Sequence, residues 1–461
     1  MKLDRRDFFK TTAGVTALTL GLNAFAPPIF KRKLLAAPPA PGKKKLIFIF
    51  MRGGNDVINM MIPRGDPMYN TTVRQSLYLQ PEDAIWLDGT TTQYPIDTGL
   101  RNSFAQLHPS LAPLMEVYQA GEVAVLHRIG YKNQSQSHFD SQQFYENGTT
   151  NPNLEVGMLY RQAEETMDLV NNHFAALGIS SAQMVALKGA SPIPNIPDVK
   201  TFKFAGSDAK TLKFLGRLPS PGVTGRGLLG AYGGPKDYPT KPYREGVYQT
   251  GLALADSMNT VRANGINPDT YVPQNGATYP ANSNFYYKAK QAAQLLKQTP
   301  VQLVGINIGG FDTHTNQGTL TGAQPNLLYQ VALMIQSFSR DLRDQWQDVL
   351  IVTMSEFGRT SYTNGSFGTD HGSAIGMLVA GGAVKGGVYN APNASTWNAD
   401  GGILSTTNGR YLKYWTDFRA VFAEIFMKHF GDDLATLNKV IPTYNTLAAA
   451  NPKEYTQLGF L

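Results

Sequence analysis

Two nearly unbroken apolar runs constrain this chain most: KLIFIFM at Lys45–Met51 and VLIVTM at Val349–Met354. Strands with no polar face are buried on both sides, which is the habit of parallel sheets covered by helices. Further strand signals stand at Val123–His127, Val301–Ile306 and Gly376–Ala380, with a short one at Met184–Leu187. Helical patterns fall between them, near 111–119, from Ser137 to Asn147, and near 245–264, 286–298, 324–345 and 417–430. Strands alternating with helices predict an α/β fold, a doubly wound, mainly parallel sheet with helices on both faces. The stretch 190–245, rich in Pro, Gly, Lys and Tyr, reads as an irregular insertion into a single domain over 46–461. No internal repeat is visible.

The formal charge of +7 over 461 residues suggests nucleic acid only until it is located. Residues 1–45 hold ten of the 41 bases and two of the 34 acids, net +8, which leaves 31 bases and 32 acids, net −1, for the rest. The body is near neutral and needs no phosphate-backbone partner, so nucleic acid is excluded. Asp4-Arg5-Arg6-Asp7-Phe8-Phe9-Lys10 matches a twin-arginine export pattern, and a modest apolar run, Thr11–Phe25, follows. That run is too short and too rich in Thr and Gly for a stable transmembrane segment. The expectation is a signal peptide over 1–26, a Pro- and Lys-rich linker over 27–45, the twin-arginine translocase as partner, and a periplasmic or extracellular location.

There is no cysteine. Disulfides, thiolate metal sites, iron–sulfur clusters and a cysteine nucleophile are all excluded. Any metal must be held by Asp, Glu, His, Asn or hydroxyl groups, which suits Zn, Mn, Ca or Mg. No haem, flavin or nicotinamide signature appears, so no organic cofactor is expected.

Polar residues gather just past the apolar runs, where open α/β sheets bind ligands. The first run leads into Arg52-Gly53-Gly54-Asn55-Asp56, and the run at 301–306 into Phe311-Asp312-Thr313-His314. The run at 349–354 leads into Ser355, Glu356 and Arg359 and then, through a Gly/Ser/Asn-rich loop, to Asp370-His371. Four of the seven histidines (127, 138, 314 and 371) lie at or after strand ends, three of them close to Asp140, Asp312 or Asp370. His108, His173 and His429 read as ordinary packing or surface residues. Asp312, His314, Asp370, His371, His138 and Asp56 are the candidate metal ligands, with some of the acids standing behind a ligand rather than being one. Ser137, at a helix start with Asp140 three residues on, is either a nucleophile whose surroundings favour an anion or simply a helix cap. Ser135 is the neighbouring candidate, and Glu356 stands with them as a catalytic candidate. Arg52 and Arg359 are candidate grips for a phosphate, sulfate or carboxylate, or else buried ion pairs with Glu356 or Asp56.

Arg52–Asp56, Leu107-His108-Pro109, Ser137-His138-Phe139-Asp140, Phe311–His314, Ser355–Thr360 and Gly368–Gly372 occur in that order after a twin-arginine leader. Together they resemble a family of exported bacterial proteins of unknown function placed near the alkaline phosphatase and sulfatase superfamily. The resemblance implies that superfamily's fold, one or two divalent metals, a Ser or Thr nucleophile at a helix start, and hydrolysis of phosphate or sulfate esters. It would set Ser137 or Ser135 near the nucleophile, and Asp312, His314 and His371 among the ligands. Two positions depart from the superfamily. Arg52 stands where the first strand normally ends in a metal-binding Asp, and Ser355-Glu356 replace an Asp-His pair. Two readings stay open: a metal-dependent hydrolase of anionic esters, such as sulfated or phosphorylated glycans, and a non-catalytic envelope binding or assembly protein that keeps the fold and an anion pocket.

Overall fold

The computed structural model describes residues 43–90, 93–169, 172–202, 242–406 and 408–461, with positions 227 and 230. The expected leader, residues 27–42 of the linker and residues 203–226, 228–229 and 231–241 of the insertion lie outside the described residues.

The strands are β1 (Lys45–Met51), β2 (Met61–Ile62), β3 (Ile85–Leu87), β4 (Asn102–Leu107), β5 (Val123–Gly130), β6 (Ala176–Ile179), β7 (Leu303–Ile308), β8 (Val349–Met354), β9 (Ile375–Ala380), β10 (Gly387–Tyr389) and β11 (Thr416–Asp417). The helices used below are α1 (Val57–Met60), α2 (His138–Asn147), α3 (Met158–Thr166), α4 (Pro242–Ala263), α5 (Asn284–Gln298), α6 (Ala323–Asp341), α7 (Phe418–Ile425) and α8 (Leu434–Val440).

Eight strands form one mixed sheet in the order β10-β5-β9-β8-β1-β7-β6, with β11 also pairing β5. β1 is central, parallel to β7 on one side and β8 on the other. Its residues alternate between two cores, as strand geometry requires. Ile47, Ile49 and Met51 join the cluster containing α5 and α6, while Leu46, Phe48 and Phe50 join the one containing α3, α7 and α8. Both faces are therefore covered by helices, and a continuous apolar run was the correct signal for such a strand.

The mainly parallel expectation needs correction at β9, which runs antiparallel to both β5 and β8. The cause is the connection. No helix crosses the sheet between Met354 and Ile375, so the chain re-enters from the edge it left and must run backwards. Loop 355–374 thus begins and ends at the same edge, pinned by an antiparallel bridge between Arg359 and His371. A separate antiparallel sheet, β2-β4-β3, also went unpredicted.

Smaller differences have local causes. The strand expected at Met184–Leu187 is a short 3-10 turn, and the sheet edge is instead β6. β5 runs past His127 to Gly130 through an irregular register, with Arg128 at φ 53°. α2 starts and stops as its signals predict: the Ser137 side chain accepts the Asp140 N–H, and Gly148 at φ 70° ends it.

Candidate metal centre

Three loops at the carboxyl edge of the sheet meet on one carboxylate. His138 opens α2 after β5, Asp312 and His314 follow β7, and His371 lies on the returning loop before β9. Asp312 Oδ1 is 3.1 Å from His314 Nε2 and 3.1 Å from His371 Nε2, and Asp312 Oδ2 is 3.4 Å from His138 Nε2. The Nε2 atoms of His314 and His371 are 3.0 Å apart. His138, Asp312 and His371 each offer a ligand atom within 4.8 Å of the others. Ligands about 2.0–2.1 Å from a shared tetrahedral ion stand roughly 3.3 Å from one another. The Asp312–imidazole and His314–His371 spacings sit around that figure.

What faces what is fixed by the other side of each ring. His371 Nδ1 lies 2.8 Å from the Gln136 carbonyl, which can only accept, so Nδ1 carries the hydrogen. His314 Nδ1 lies 3.1 Å from Asp370 Oδ1. Asp370 also receives Asn364 Nδ2 at 3.1 Å and Arg410 Nη2 at 3.1 Å. Burial alone would raise the Asp370 carboxyl, but the hydrogen bonds from Asn364 and His314 hold it below its usual range. His138 Nδ1 lies 2.9 Å from Glu356 Oε1. With every Nδ1 donating, each ring in its neutral form presents an Nε2 lone pair to this centre. Acceptors at these distances, beside the one guanidinium of Arg359, are compatible with a bound cation. The donor set, three imidazoles each backed by a carboxylate or carbonyl plus one carboxylate, fits a divalent metal of the zinc type.

The remaining electrostatics keep Asp312 charged. Burial alone would raise its carboxyl, but the Arg359 guanidinium holds it below its usual range. Burial lowers the His371 pKa, whereas the hydrogen bond to Glu356 raises that of His138. Gly53 is essential to this geometry. It sits at φ 121°, and a Cβ there would come within 2.2 Å of the Asp312 backbone nitrogen. Phe357 is fully buried, with its ring 4.4 Å from that of His371 and 4.8 Å from that of His138.

Other candidates are placed differently. Asp56 is not among the converging ligand groups. It is fully buried, caps α1 through Ile58 N at 3.1 Å, and is bound by Arg74 and by Gln317 Nε2 at 2.7 Å. Neither arginine pairs as the sequence suggested. Arg52 bonds Glu146 Oε1 at 2.8 Å, Gln142 Oε1 at 2.7 Å and Asn307 Oδ1 at 3.0 Å. Arg359, buried, bonds Asp312 Oδ1 at 2.9 Å and the Gly53 carbonyl at 3.1 Å. Both guanidiniums are thus engaged with protein groups.

Ser135 and Ser137 are next to His138, with hydroxyls tied to the helix start. Ser135 Oγ bonds Asp140 Oδ2 at 3.2 Å and accepts Ser137 N at 3.2 Å. Ser355 donates to the Met51 carbonyl at 2.6 Å and accepts Asn55 N at 3.0 Å. His127 stays inside β5, edge-on to Trp397 at 4.9 Å, and burial pushes its pKa down to about 3.

Sequence reasoning missed Gln136, whose main-chain carbonyl anchors His371, and Gln142. It also missed Arg410, half-exposed on Asp370. Main-chain and amide groups carry no motif. Only proximity to Ser137 and His138 pointed toward the first two.

Residues 248–395 match the model of a family described as "Protein of unknown function (DUF1501)". That stretch contains Asp312, His314, Glu356, Arg359, Asp370 and His371 but not His138. No curated protein matches the chain. Among solved structures, the alkaline phosphatase from the Antarctic bacterium TAB5 is similar at 9% identity and TM-score 0.28, over 76% of this chain and 96% of that one. The PH0037 protein from Pyrococcus horikoshii is similar at 14% identity and TM-score 0.25, over 74% and 89%. At such scores neither likeness carries an argument about the site.

Proposed function

We propose that this protein is an exported, divalent-metal-dependent hydrolase of phosphate or sulfate esters. One observation carries the reading: the Nε2 atoms of His138, His314 and His371 and the carboxylate of Asp312 converge, while every Nδ1 is held by an acceptor. A bound cation of the zinc, manganese, calcium or magnesium type would supply Lewis-acid polarisation of an ester oxygen. The ordered motifs and the twin-arginine pattern support the alkaline phosphatase and sulfatase reading and export to the periplasm or beyond.

The chain's own residues have separate tasks in this reading. Arg359 keeps Asp312 ionised and aimed. Ser137, immediately before His138, is the hydroxyl placed to attack, with the N-terminus of α2 favouring negative charge beside it. Ser135 orients that turn through Asp140. The imidazoles and Asp312 are partly exposed, with side-chain exposures from 22% for His371 to 43% for Asp312, so a substrate reaches them from solvent.

The test is metal analysis of full-length protein exported by its own route, joined to a panel of phosphate and sulfate esters. The reading expects stoichiometric metal and turnover lost in both His314→Ala and His371→Ala. Neither metal nor turnover would overturn it. A second reading has its own support: Arg52 and Arg359 are engaged by Glu146 and Asp312, and the Ser135 hydroxyl is held at the helix start. It holds that the protein is a metal-bearing envelope binding or assembly protein without turnover. Bound metal with no hydrolysis of any ester would favour it.

A further inference from the structure

Glu356 is completely buried although it is a carboxylate at the mouth of a polar centre. Its Oε1 receives the Gly53 N–H at 2.8 Å, Gln142 Nε2 at 2.8 Å and His138 Nδ1 at 2.9 Å. Burial alone would raise its pKa, but the hydrogen bonds from His138 and Gln142 outweigh burial and hold it low. Ser355 Oγ lies 3.2 Å from its Oε2.

We propose that Glu356 is a positioning residue: through a one-way chain of hydrogen bonds from Arg52 and Gln142 it fixes His138 as a metal ligand, and so sets the affinity of the centre. The proposal rests on the metal-centre reading above. The direction of the chain follows from groups that have no choice. A guanidinium only donates, so Arg52 Nη1 makes Gln142 Oε1 the acceptor, at 2.7 Å. The Gln142 amide can then turn only its NH2 toward Glu356. The Gly53 main chain likewise only donates. Glu356 Oε1 is therefore an acceptor to all three neighbours, and the hydrogen between it and His138 belongs to Nδ1. Nε2 is then the nitrogen that faces Asp312, and in the neutral ring it carries the lone pair a metal would take. A carboxylate behind an imidazole also raises the ring's basicity as a ligand. Arg52, which the sequence offered as a grip for substrate, thus works three hydrogen bonds behind the ligand.

The same geometry makes Glu356→Gln a clean probe. The amide oxygen fits the Oε1 position and accepts the same three donors. The amide nitrogen falls at the Oε2 position beside Ser355 Oγ. That hydroxyl spends its hydrogen on the Met51 carbonyl at 2.6 Å and has a lone pair left to accept. The shape and the three hydrogen bonds at the Oε1 position survive, and the charge behind His138 is lost.

The experiment titrates Co(II) into metal-free, full-length protein, follows the visible ligand-field bands, and displaces the ion with Zn(II). Glu356→Gln is expected to weaken binding about 10- to 100-fold. The thermal midpoint of the metal-free protein should fall only by what the lost charge contributes, less than in Glu356→Ala, where a packing defect is added. An affinity within roughly twofold of the parent overturns the proposal. Should Glu356→Gln not fold, Gln142→Ala leaves the carboxylate but removes a donor. Binding is then expected to weaken by roughly threefold or more, and unchanged affinity overturns the proposal equally. A parent protein that binds no Co(II) removes the metal-centre reading itself and this inference with it. Parent binding with an indifferent Glu356→Gln removes only the role of Glu356.

Discussion

Two clusters of charged and polar side chains flank the loop Arg52–Asp56, and they are built on opposite principles. Around Asp56, the carboxylate meets donors on every side: the Arg74 guanidinium, the Gln317 amide and the first N–H groups of α1. Arg74 spends its own hydrogens on Asp56, Asn59 Oδ1 and the carbonyls of Thr360 and Ser361. Arg74 Nε alone in this cluster lacks a partner; otherwise donors face acceptors, and the cluster is buried. Around Asp312, apart from Arg359, the neighbours are imidazole nitrogens whose hydrogens point the other way. The difference teaches that residue type does not separate a structural ion pair from a ligand set. Hydrogen-bond direction does, because acceptors left facing one another suit a bound cation, whereas matched donors and acceptors do not.

The largest effect that sharpens this contrast is acid. Burial lowers the pKa of His108 and His429 to about 4 and that of His127 to about 3. Each stays neutral in the fold while the unfolded chain gains a proton below its ordinary value of 6.5. Their folded values are depressed, so the stability is fully present above pH 6.5 and is lost as pH falls toward about 4 for His108 and His429 and about 3 for His127. Between roughly pH 6 and 4.5 the three together give a slope of up to about 4 kcal/mol per pH unit, checked by urea unfolding at stepped pH.

Next in size is Arg74→Met. It strands a fully buried Asp56 carboxylate and is expected to cost about 3–5 kcal/mol in the same assay, with metal affinity little changed. Ser137→Ala removes the α2 cap and is expected to cost ~1 kcal/mol, while abolishing turnover if its hydroxyl is the nucleophile. The smallest stability effect belongs to the open cluster. His371→Ala in metal-free protein removes a partly exposed ring and its bond to the Gln136 carbonyl, and is expected to cost only about 0.5–1 kcal/mol even though metal binding is lost. A loss like that of Arg74→Met would break the contrast between the clusters.

The sequence carried the central sheet because its information was local. KLIFIFM and VLIVTM can be satisfied only by burial on both faces, and Ser137, Asp140 and Gly148 bracket α2 in the manner their backbone chemistry dictates. β9 was misread because its direction depends on what precedes it, yet a sign was present. Residues 355–374 contain no helical pattern, and a parallel partner needs a crossover. At the site, Asp312, His314, His371 and His138 were visible as motifs after strand ends. Asp56 looked equivalent and is not, since its partner Arg74 lies in a loop with no motif. Arg52 and Arg359 were recognised as cations, but their partners Glu146 and Asp312 became clear only once α2 and the β7 loop were packed together. Tertiary hydrogen-bond direction leaves no trace in residue order.

The central claim is most directly tested by calorimetric titration of Zn(II) into the metal-free protein and its single variants His138→Ala, His314→Ala and His371→Ala. The account predicts one saturable site per chain, lost in each of the three variants while Asp56→Asn retains it in any molecules that fold. A folded parent chain with no saturable site, or one whose site survives all three histidine substitutions, would contradict it.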